Sequence, residues 1–173
     1  MRKILIVVDM QNDFIDGSLG TKEAEAIVPL VIDKIKHYKK ENVFATRDTH
    51  DKDYLDTLEG KNLPVIHCLK NTNGWELQKD IAKLIDPKNI FDKPSFGSVE
   101  LANHLSQIEK KEKIEIELVG LCTDICVISN AVLLKSFLAN TCVSIDSSCC
   151  AGSTKKAHEY ALKSMESLQI KLK

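Results

Sequence analysis

The sequence predicts an α/β fold, in which a mostly parallel sheet is covered by helices on both faces. Residues 3–8 form a continuous run of β-branched residues and leucine, without the alternation of a strand that faces water on one side, and residues 114–119 form a second apolar run that predicts a buried strand. Residues 23–40 and 99–110 instead place apolar residues every three or four positions, as an amphipathic helix does. Because such strands and helices alternate, we expect right-handed crossovers within one parallel sheet.

The other elements continue this alternation along the chain. The predicted strands span residues 3–8, 43–46, 64–68, 90–91, 114–119, 141–145 and 168–172. The last of these alternates apolar and polar residues, which is typical of an edge strand. The predicted helices span residues 23–40, 75–84, 99–110, 125–138 and 153–165, and all of them except 75–84 show apolar residues at helical spacing. Residues 11–20 and 52–62 are expected to form loops.

The composition indicates one domain without a strongly charged surface. The 173 residues suit a single domain over residues 1–173, and the hydrophobic fraction of 43% is enough for a core. A net charge of −1 predicts no nucleic acid partner, and short apolar runs predict no membrane partner. Six cysteines without Cys-x-x-Cys spacing, and no secretion signal, favour a reduced, cytoplasmic protein.

The residues around Cys126 indicate a reactive thiol. Cys126 follows a predicted strand and a tight turn at Gly120, so it should lie in the first turn of helix 125–138. The positive end of a helix dipole favours the thiolate, which is the nucleophilic form of cysteine. The backbone N–H groups of Cys122 and Cys126 could hold a developing oxyanion. A buried, inert cysteine is the alternative that this position leaves open.

Several polar side chains follow predicted strands. Asp9, Asp48, His50, Lys93 and Cys126 all lie near the carboxyl ends of strands, which meet at one edge of a parallel sheet. A cysteine nucleophile needs a base and a positive field, which Asp9 and Lys93 could supply. Burial would raise the pKa of Asp9 and let it shuttle a proton. A turn-capping aspartate and a solvated surface lysine are the alternatives.

A second group of residues could bind a metal ion. Asp48 and His50 are two residues apart and would face the same way on an extended segment. His67 could approach from the neighbouring predicted strand, and Glu59 could be a fourth ligand. Two imidazoles and a carboxylate suit a catalytic Zn²⁺, Fe²⁺ or Mn²⁺. A polar loop with one buried, hydrogen-bonded histidine is the alternative.

Five motifs occur along the chain in a recognisable order. They are Val-Asp-Met-Gln-Asn-Asp-Phe at 8–14, the Asp48/His50 loop, Lys-Pro-Ser-Phe-Gly-Ser at 93–98, Gly-Leu-Cys-Thr-Asp-Ile-Cys-Val at 120–127, and Asp-Ser-Ser-Cys-Cys-Ala-Gly at 146–152. With these motifs the chain resembles the isochorismatase-like cysteine hydrolases over nearly its whole length. The resemblance implies a three-layer α/β/α sandwich with a six-stranded sheet and a catalytic triad of Asp9, Lys93 and Cys126. It also implies a cis peptide at Leu121-Cys122 that builds the oxyanion hole.

Within this family the chain resembles the nicotinamidase branch. Members of that branch bind a metal through Asp-x-His and a later histidine, which Asp48, His50 and His67 match. The resemblance implies one divalent ion, with zinc expected before iron or manganese, that binds the pyridine nitrogen of nicotinamide. Phe14 matches an aromatic residue that lines the substrate slot. The resemblance also implies that the protein is a homo-oligomer.

One segment departs from the pattern of that branch. Many nicotinamidases have His-x-Ser-Phe shortly after the first metal histidine, whereas this chain has Asp-Tyr-Leu at residues 53–55. Glu59 lies where some relatives use a glutamate, and we therefore include it as the expected fourth ligand.

The combined prediction is hydrolysis of nicotinamide to nicotinate and ammonia through a thioester on Cys126. One alternative is a related hydrolase that acts on another small amide or on an N-carbamoyl compound. Another is a redox or binding protein, in which Cys126 reacts with oxidants and the residues of the second group hold a structural ion.

Overall fold

The computed structural model describes residues 1–173 and contains one six-stranded parallel sheet. The strands are β1 (Arg2–Val8), β2 (Val43–Asp48), β3 (Ile90–Lys93), β4 (Ile114–Leu121), β5 (Cys142–Ala151) and β6 (Lys171–Leu172). Their order across the sheet is β3-β2-β1-β4-β5-β6, so β1 lies at the centre, where the chain reverses its direction across the sheet. The predicted α/β fold is therefore confirmed. Ligands of such sheets bind where the strand order reverses, beyond the carboxyl ends of the strands.

Helices cover both faces of the sheet. They are α1 (Asn12–Ile15), α2 (Lys22–Lys36), α3 (Leu58–Asn62), α4 (Lys79–Ala82), α5 (Val99–Glu109), α6 (Ile128–Phe137) and α7 (Lys155–Ser167). Side chains of β1 alternate between two apolar cores: Ile4 and Ile6 pack in the core with α5, α6 and α7, and Leu5 and Val7 in the core with α2 and α4. This alternation explains the continuous apolar run of β1. None of the helices combines the length and apolar character that a membrane span requires.

Two predicted elements near the site are wrong. Residues 64–68 do not join the sheet. The chain next to them forms only an isolated β-bridge, between Leu69 and His50. Pro64 lacks an N–H group to donate to a ladder, and His67 turns toward the site instead. The predicted helix 75–84 is reduced to α4, because Leu77 pairs with Gln11 and extends the preceding backbone.

Other boundaries shift for local reasons. The two predicted loops contain the short helices α1 and α3, whose lengths are too small for a periodic apolar pattern. The first long helix ends at Lys36 rather than at residue 40. Strand β5 runs on to Ala151, through polar residues that give no strand signal, and pairs with β4 beyond an irregularity near Gly120.

Gly120 holds β1 and β4 close together at the site. Its φ of +119° lies in a region that other residues rarely adopt, and a Cβ atom there would lie 2.2 Å from the carbonyl oxygen of Val8. This position therefore requires glycine, and it sets the direction in which the chain leaves β4 toward Cys122 and Cys126.

Candidate active site

The structure brings Asp9, Lys93 and Cys126 together beyond the carboxyl ends of the central strands. Asp9 follows β1, Lys93 ends β3, and Cys126 lies in the turn after β4. Lys93 Nζ lies 2.8 Å from Asp9 Oδ2 and 3.5 Å from Cys126 Sγ. All three side chains are buried, with exposed fractions of 0%, 1% and 5% for Asp9, Lys93 and Cys126. A carboxylate, an ammonium group and a thiol are thus in direct contact away from bulk water.

The two carboxylate oxygens of Asp9 have different surroundings. Oδ1 accepts a hydrogen bond of 2.6 Å from the Thr46 hydroxyl. Oδ2 faces Lys93 as an ion pair but receives no well-aligned hydrogen bond. Burial raises the pKa of Asp9 above its ordinary value, and the Lys93 ammonium offsets part of this increase. Oδ2 is therefore the oxygen that can accept a proton.

Lys93 is the only cation among these buried groups. Burial alone would lower its pKa, but the neighbouring anions, Asp9 foremost, raise the pKa on balance. The ammonium group also donates to Asp48 Oδ1 at 3.2 Å and to the carbonyl oxygen of Ser95 at 3.1 Å. Lys93 is therefore charged and fixed in position, and the expectation of a solvated surface lysine does not hold.

The backbone around Cys126 differs from the simple helix start that the sequence predicts. Thr123–Val127 forms a π-helical turn, in which the carbonyl oxygen of Cys122 accepts from both Ile125 and Val127. The α-helix α6 begins only at Ile128. The peptide bond between Leu121 and Cys122 is cis, as the resemblance implies.

The expected thiolate at Cys126 is not the resting state. Burial raises the pKa of the Cys126 thiol well above its ordinary value, and the negative charge of Asp9 adds to this increase. The side chain is only 5% exposed, so a thiolate would lose most of its hydration, and the positive charge of Lys93 offsets only part of this loss. The resting sulfur is protonated, so a nearby base has to remove its proton before it can attack.

The predicted metal-binding residues also meet. One ligand atom from each of Asp48, His50, Glu59 and His67 lies within 4.8 Å of all the others. Asp48 Oδ2 is 2.9 Å from His50 Nε2 and 3.5 Å from His67 Nε2, and Glu59 Oε1 is 3.7 Å from His50 Nε2. Ligand atoms around a tetrahedral zinc ion are separated by about 3.3 Å, given Zn–N and Zn–O bonds of about 2.0–2.1 Å. The four residues therefore fit a divalent ion.

Charge and tautomer agree with this fit. His67 Nδ1 lies 2.7 Å from the carbonyl oxygen of Val65, so that Nδ1–H donates and Nε2 stays free as a ligand. Burial acts to raise the pKa of Asp48, but its polar contacts with His50 and His67 and the charge of Lys93 outweigh it and hold the pKa below its usual range. Asp48 is thus an anion that contacts His50 and His67 on one side and Lys93 on the other. It therefore links the metal-binding residues to the triad of Asp9, Lys93 and Cys126.

Two positioning contacts were not foreseen from the sequence. Gln11 is fully buried and holds the backbone of Asp48 through both its N–H and its C=O, because Gln11 Nε2 donates at 2.8 Å and Gln11 Oε1 accepts at 2.7 Å. Thr46 holds Asp9, as described above. Gln11 and Asp48 are 37 positions apart in the chain, and so are Asp9 and Thr46. Only the place of Gln11 within the 8–14 motif could have suggested a role.

One cavity of about 260 Å³ is lined by residues of both the triad and the metal-binding group. Its lining includes Cys126, Cys122, Asp48, Glu59, His67 and Phe14. The Phe14 ring lies 5.5 Å from the His67 ring, so the aromatic residue forms a wall beside the metal-binding group. This volume lies below the roughly 300–1,000 Å³ of sites for drug-sized ligands, so the cavity suits a small, largely apolar molecule. A larger open groove elsewhere, lined by Arg2, Lys34 and Glu117, contains none of these residues.

Comparison with known proteins places this arrangement in a family. A family model described as "Isochorismatase domain" matches residues 3–172. The chain belongs to the isochorismatase family. This isochorismatase-family chain is 29% identical to a nicotinamidase of Schizosaccharomyces pombe, in an alignment that covers 97% of this chain and 91% of the relative.

Solved structures show the same fold. A pyrazinamidase of Pyrococcus horikoshii in complex with zinc is 26% identical, with a TM-score of 0.79 and coverage of 100% of this chain and 99% of that one. The nicotinamidase/pyrazinamidase PncA of Bacillus subtilis is 27% identical, with a TM-score of 0.76 and coverage of 99% of both chains. The isochorismatase-family chain is therefore a hydrolase that acts on an amide C–N bond.

Proposed function

We propose that this protein is a nicotinamidase, which hydrolyses nicotinamide to nicotinate and ammonia through a thioester on Cys126. One observation carries the proposal: a single small cavity is lined both by Cys126, whose thiol contacts Lys93, and by Asp48, Glu59 and His67, three of the four residues that could hold a metal ion. The names of the relatives, nicotinamidase and pyrazinamidase, agree with a small aromatic amide as substrate.

The first half of the reaction forms the thioester. Asp9 Oδ2 accepts the proton of the Cys126 thiol, and the positive charge of Lys93 stabilises the resulting thiolate. The thiolate attacks the amide carbon, and the C=O electron pair moves to oxygen. We propose that the backbone N–H groups of Cys122 and Cys126 hold this oxyanion. Asp9 then protonates the nitrogen, the C–N bond breaks, and ammonia leaves.

The second half releases the acid. Asp9, again ionised, takes a proton from a water molecule, which attacks the thioester carbon. The C–S bond breaks, Asp9 returns its proton to the Cys126 sulfur, and nicotinic acid leaves and ionises to nicotinate. Because burial raises the pKa of Asp9 above that of an exposed aspartate, Asp9 can both accept and return a proton.

The substrate is oriented by the other wall of the cavity. Asp48, His50, Glu59 and His67 would hold one divalent ion, with zinc expected before iron or manganese. A bound ion would supply a Lewis-acid contact for the pyridine nitrogen. Phe14 packs beside this group and confines the ring, so that the amide carbon is presented to Cys126.

Ammonia release from nicotinamide tests the proposal. We expect turnover by the purified protein, loss of that turnover in Cys126→Ala, and unchanged turnover in Cys142→Ala, a cysteine at the opposite end of β5. Elemental analysis of the same sample should find about one divalent ion per chain. Turnover that persists in Cys126→Ala would refute the triad. Turnover of another amide or N-carbamoyl compound, but not of nicotinamide, would refute the substrate.

The biological setting follows from the proposed reaction. Nicotinate formed from nicotinamide would serve NAD salvage, and six unpaired cysteines are compatible with a reducing compartment such as the cytoplasm. We further propose that residues 1–173 form one domain and that the protein is a homo-oligomer, which size-exclusion chromatography with light scattering would test.

A further inference from the structure

Asn130 connects the two chain segments that carry Lys93 and Cys126. It lies on α6, one turn after Cys126, and only 1% of it is exposed. Asn130 Nδ2 donates to the carbonyl oxygen of Cys126 at 2.8 Å and to that of Phe96 at 3.1 Å. Asn130 Oδ1 accepts from the backbone N–H of Ser98 at 2.9 Å. All hydrogen-bonding groups of this buried amide except one lone pair are thus used.

These three bonds matter because few other polar contacts join the two segments. The segment 93–98 follows β3, whereas Cys126 lies in the turn after β4, on the far side of β1 and β2 in the sheet. Apart from the Asn130 bonds, the polar contact between them is the one from Lys93 Nζ to Cys126 Sγ at 3.5 Å. A long contact to sulfur cannot by itself fix two backbone segments.

The turn that contains Cys126 depends on hydrogen bonds from outside it, such as the one from Asn130. The π-helical turn Thr123–Val127 is an uncommon conformation with fewer regular hydrogen bonds than an α-helix. The neighbouring loop is packed closely on α6, since a Cβ atom at Gly97 would lie 3.3 Å from Leu133 Cδ2. A shift of either segment would move the sulfur away from the ammonium group, and would also move Phe96, which lines the cavity.

We propose that Asn130 is a positioning residue, which sets the distance between the Lys93 ammonium group and the Cys126 sulfur by tying their two backbone segments together. This inference rests on the proposed function, because it assumes that Cys126 is the nucleophile. Asn130 itself makes no hydrogen bond to the sulfur and does not line the cavity.

Two variants and one control test this role. Asn130→Asp keeps the size and the bond from Ser98 but replaces both donors by oxygen, and Asn130→Ala removes all three bonds. Asn89→Ala is the matched control, because Asn89 is also buried and its side chain donates to a backbone carbonyl, that of Val43, at the opposite end of the sheet. Folded fraction, kcat, KM and the rate of Cys126 alkylation by iodoacetamide are measured for each, with Cys126→Ala as background.

We expect kcat per folded molecule to fall by about 10- to 100-fold in both Asn130 variants, since displacements near 1 Å have effects of that size. KM should change less, because the groups that bind the ring lie on other elements. Alkylation of Cys126 should slow, since the sulfur loses its nearby positive charge. A purely structural role would instead speed alkylation by exposing the thiol.

The outcomes separate this inference from the proposed function. Turnover in Cys126→Ala would refute the proposed function itself. If Cys126→Ala is inactive, then kcat per folded molecule within twofold of the wild type in both Asn130 variants would overturn the role of Asn130. A loss equal to that of Asn89→Ala, or faster alkylation, would overturn it too.

Discussion

The substitution Thr46→Val tests how the structure sets the protonation of Asp9. Valine has the shape of threonine without the hydroxyl, so the change removes the 2.6 Å hydrogen bond to Asp9 Oδ1 and little else. Hydrogen bonds to charged groups contribute about 1.5–3 kcal/mol. One pKa unit corresponds to about 1.4 kcal/mol. The pKa of Asp9 should therefore rise by roughly one to two further units.

The pH dependence of stability follows from the sign of this shift. The pKa of Asp9 is already raised above its ordinary 3.8, so the folded protein holds this proton more tightly than the unfolded chain. The contribution of Asp9 to the free energy of unfolding therefore falls as the pH rises from 3.8 to the raised value. Thr46→Val widens this window upward. The variant should lose about 1.5–3 kcal/mol near neutral pH, and less below pH 4, where Asp9 is protonated in both states.

Urea unfolding at several pH values measures this loss. Ser144→Ala is the control, because its buried hydroxyl donates to the backbone carbonyl of Ile116, which does not titrate. Its cost of about 0.5–1.5 kcal/mol should not depend on pH. The acid limb of kcat/KM should also move to higher pH in Thr46→Val only. An equal loss at every pH, with an unmoved acid limb, would show that Asp9 is not the titrating base.

Three other substitutions, and one control, give sharp outcomes. His50→Ala should lower the bound metal measured by elemental analysis and raise KM for nicotinamide at least about tenfold, whereas an unfolded variant would favour a structural histidine. Glu59→Gln should weaken metal retention against a chelator less than His50→Ala does, since its side chain is 23% exposed; an equal effect would make Glu59 a full ligand. Gly120→Ala should lower the free energy of unfolding by more than about 2 kcal/mol, because of its backbone conformation and the close Val8 carbonyl. Gly97→Ala, with a nearest contact of 3.3 Å, should cost less, and similar losses would contradict this reasoning.

The sequence predicted the convergence of the candidate site because that convergence follows from topology. Asp9, Asp48, Lys93 and Cys126 lie at or after the carboxyl ends of four strands that the sequence predicts from their apolar residues. In a parallel sheet those ends meet at one edge whatever the connecting loops do. The two-residue spacing of Asp48 and His50 likewise brought these two side chains together on one side of the chain, because the segment is extended.

The same reasoning failed where a segment's conformation depends on distant partners. Residues 64–68 have the composition of a strand, but the sheet continues with β3 instead, and His67 serves the metal-binding group. Residues 75–78 have helical character, yet Leu77 pairs with Gln11 and Gln78 donates its N–H to Met10. Contacts between residues more than 60 positions apart leave no periodic signal in the sequence.

By itself, the sequence determined which residue types stand at the ends of which strands, since apolar strands that alternate with amphipathic helices specify a parallel sheet. Only the tertiary structure decided the protonation of those residues. Position in the chain suggested a thiolate at Cys126, but burial and the adjacent Asp9 keep the sulfur protonated and raise the pKa of the carboxyl group that must accept its proton. Loss of hydration and the distances between charges are properties of the packed molecule, so no sequence pattern encodes them locally.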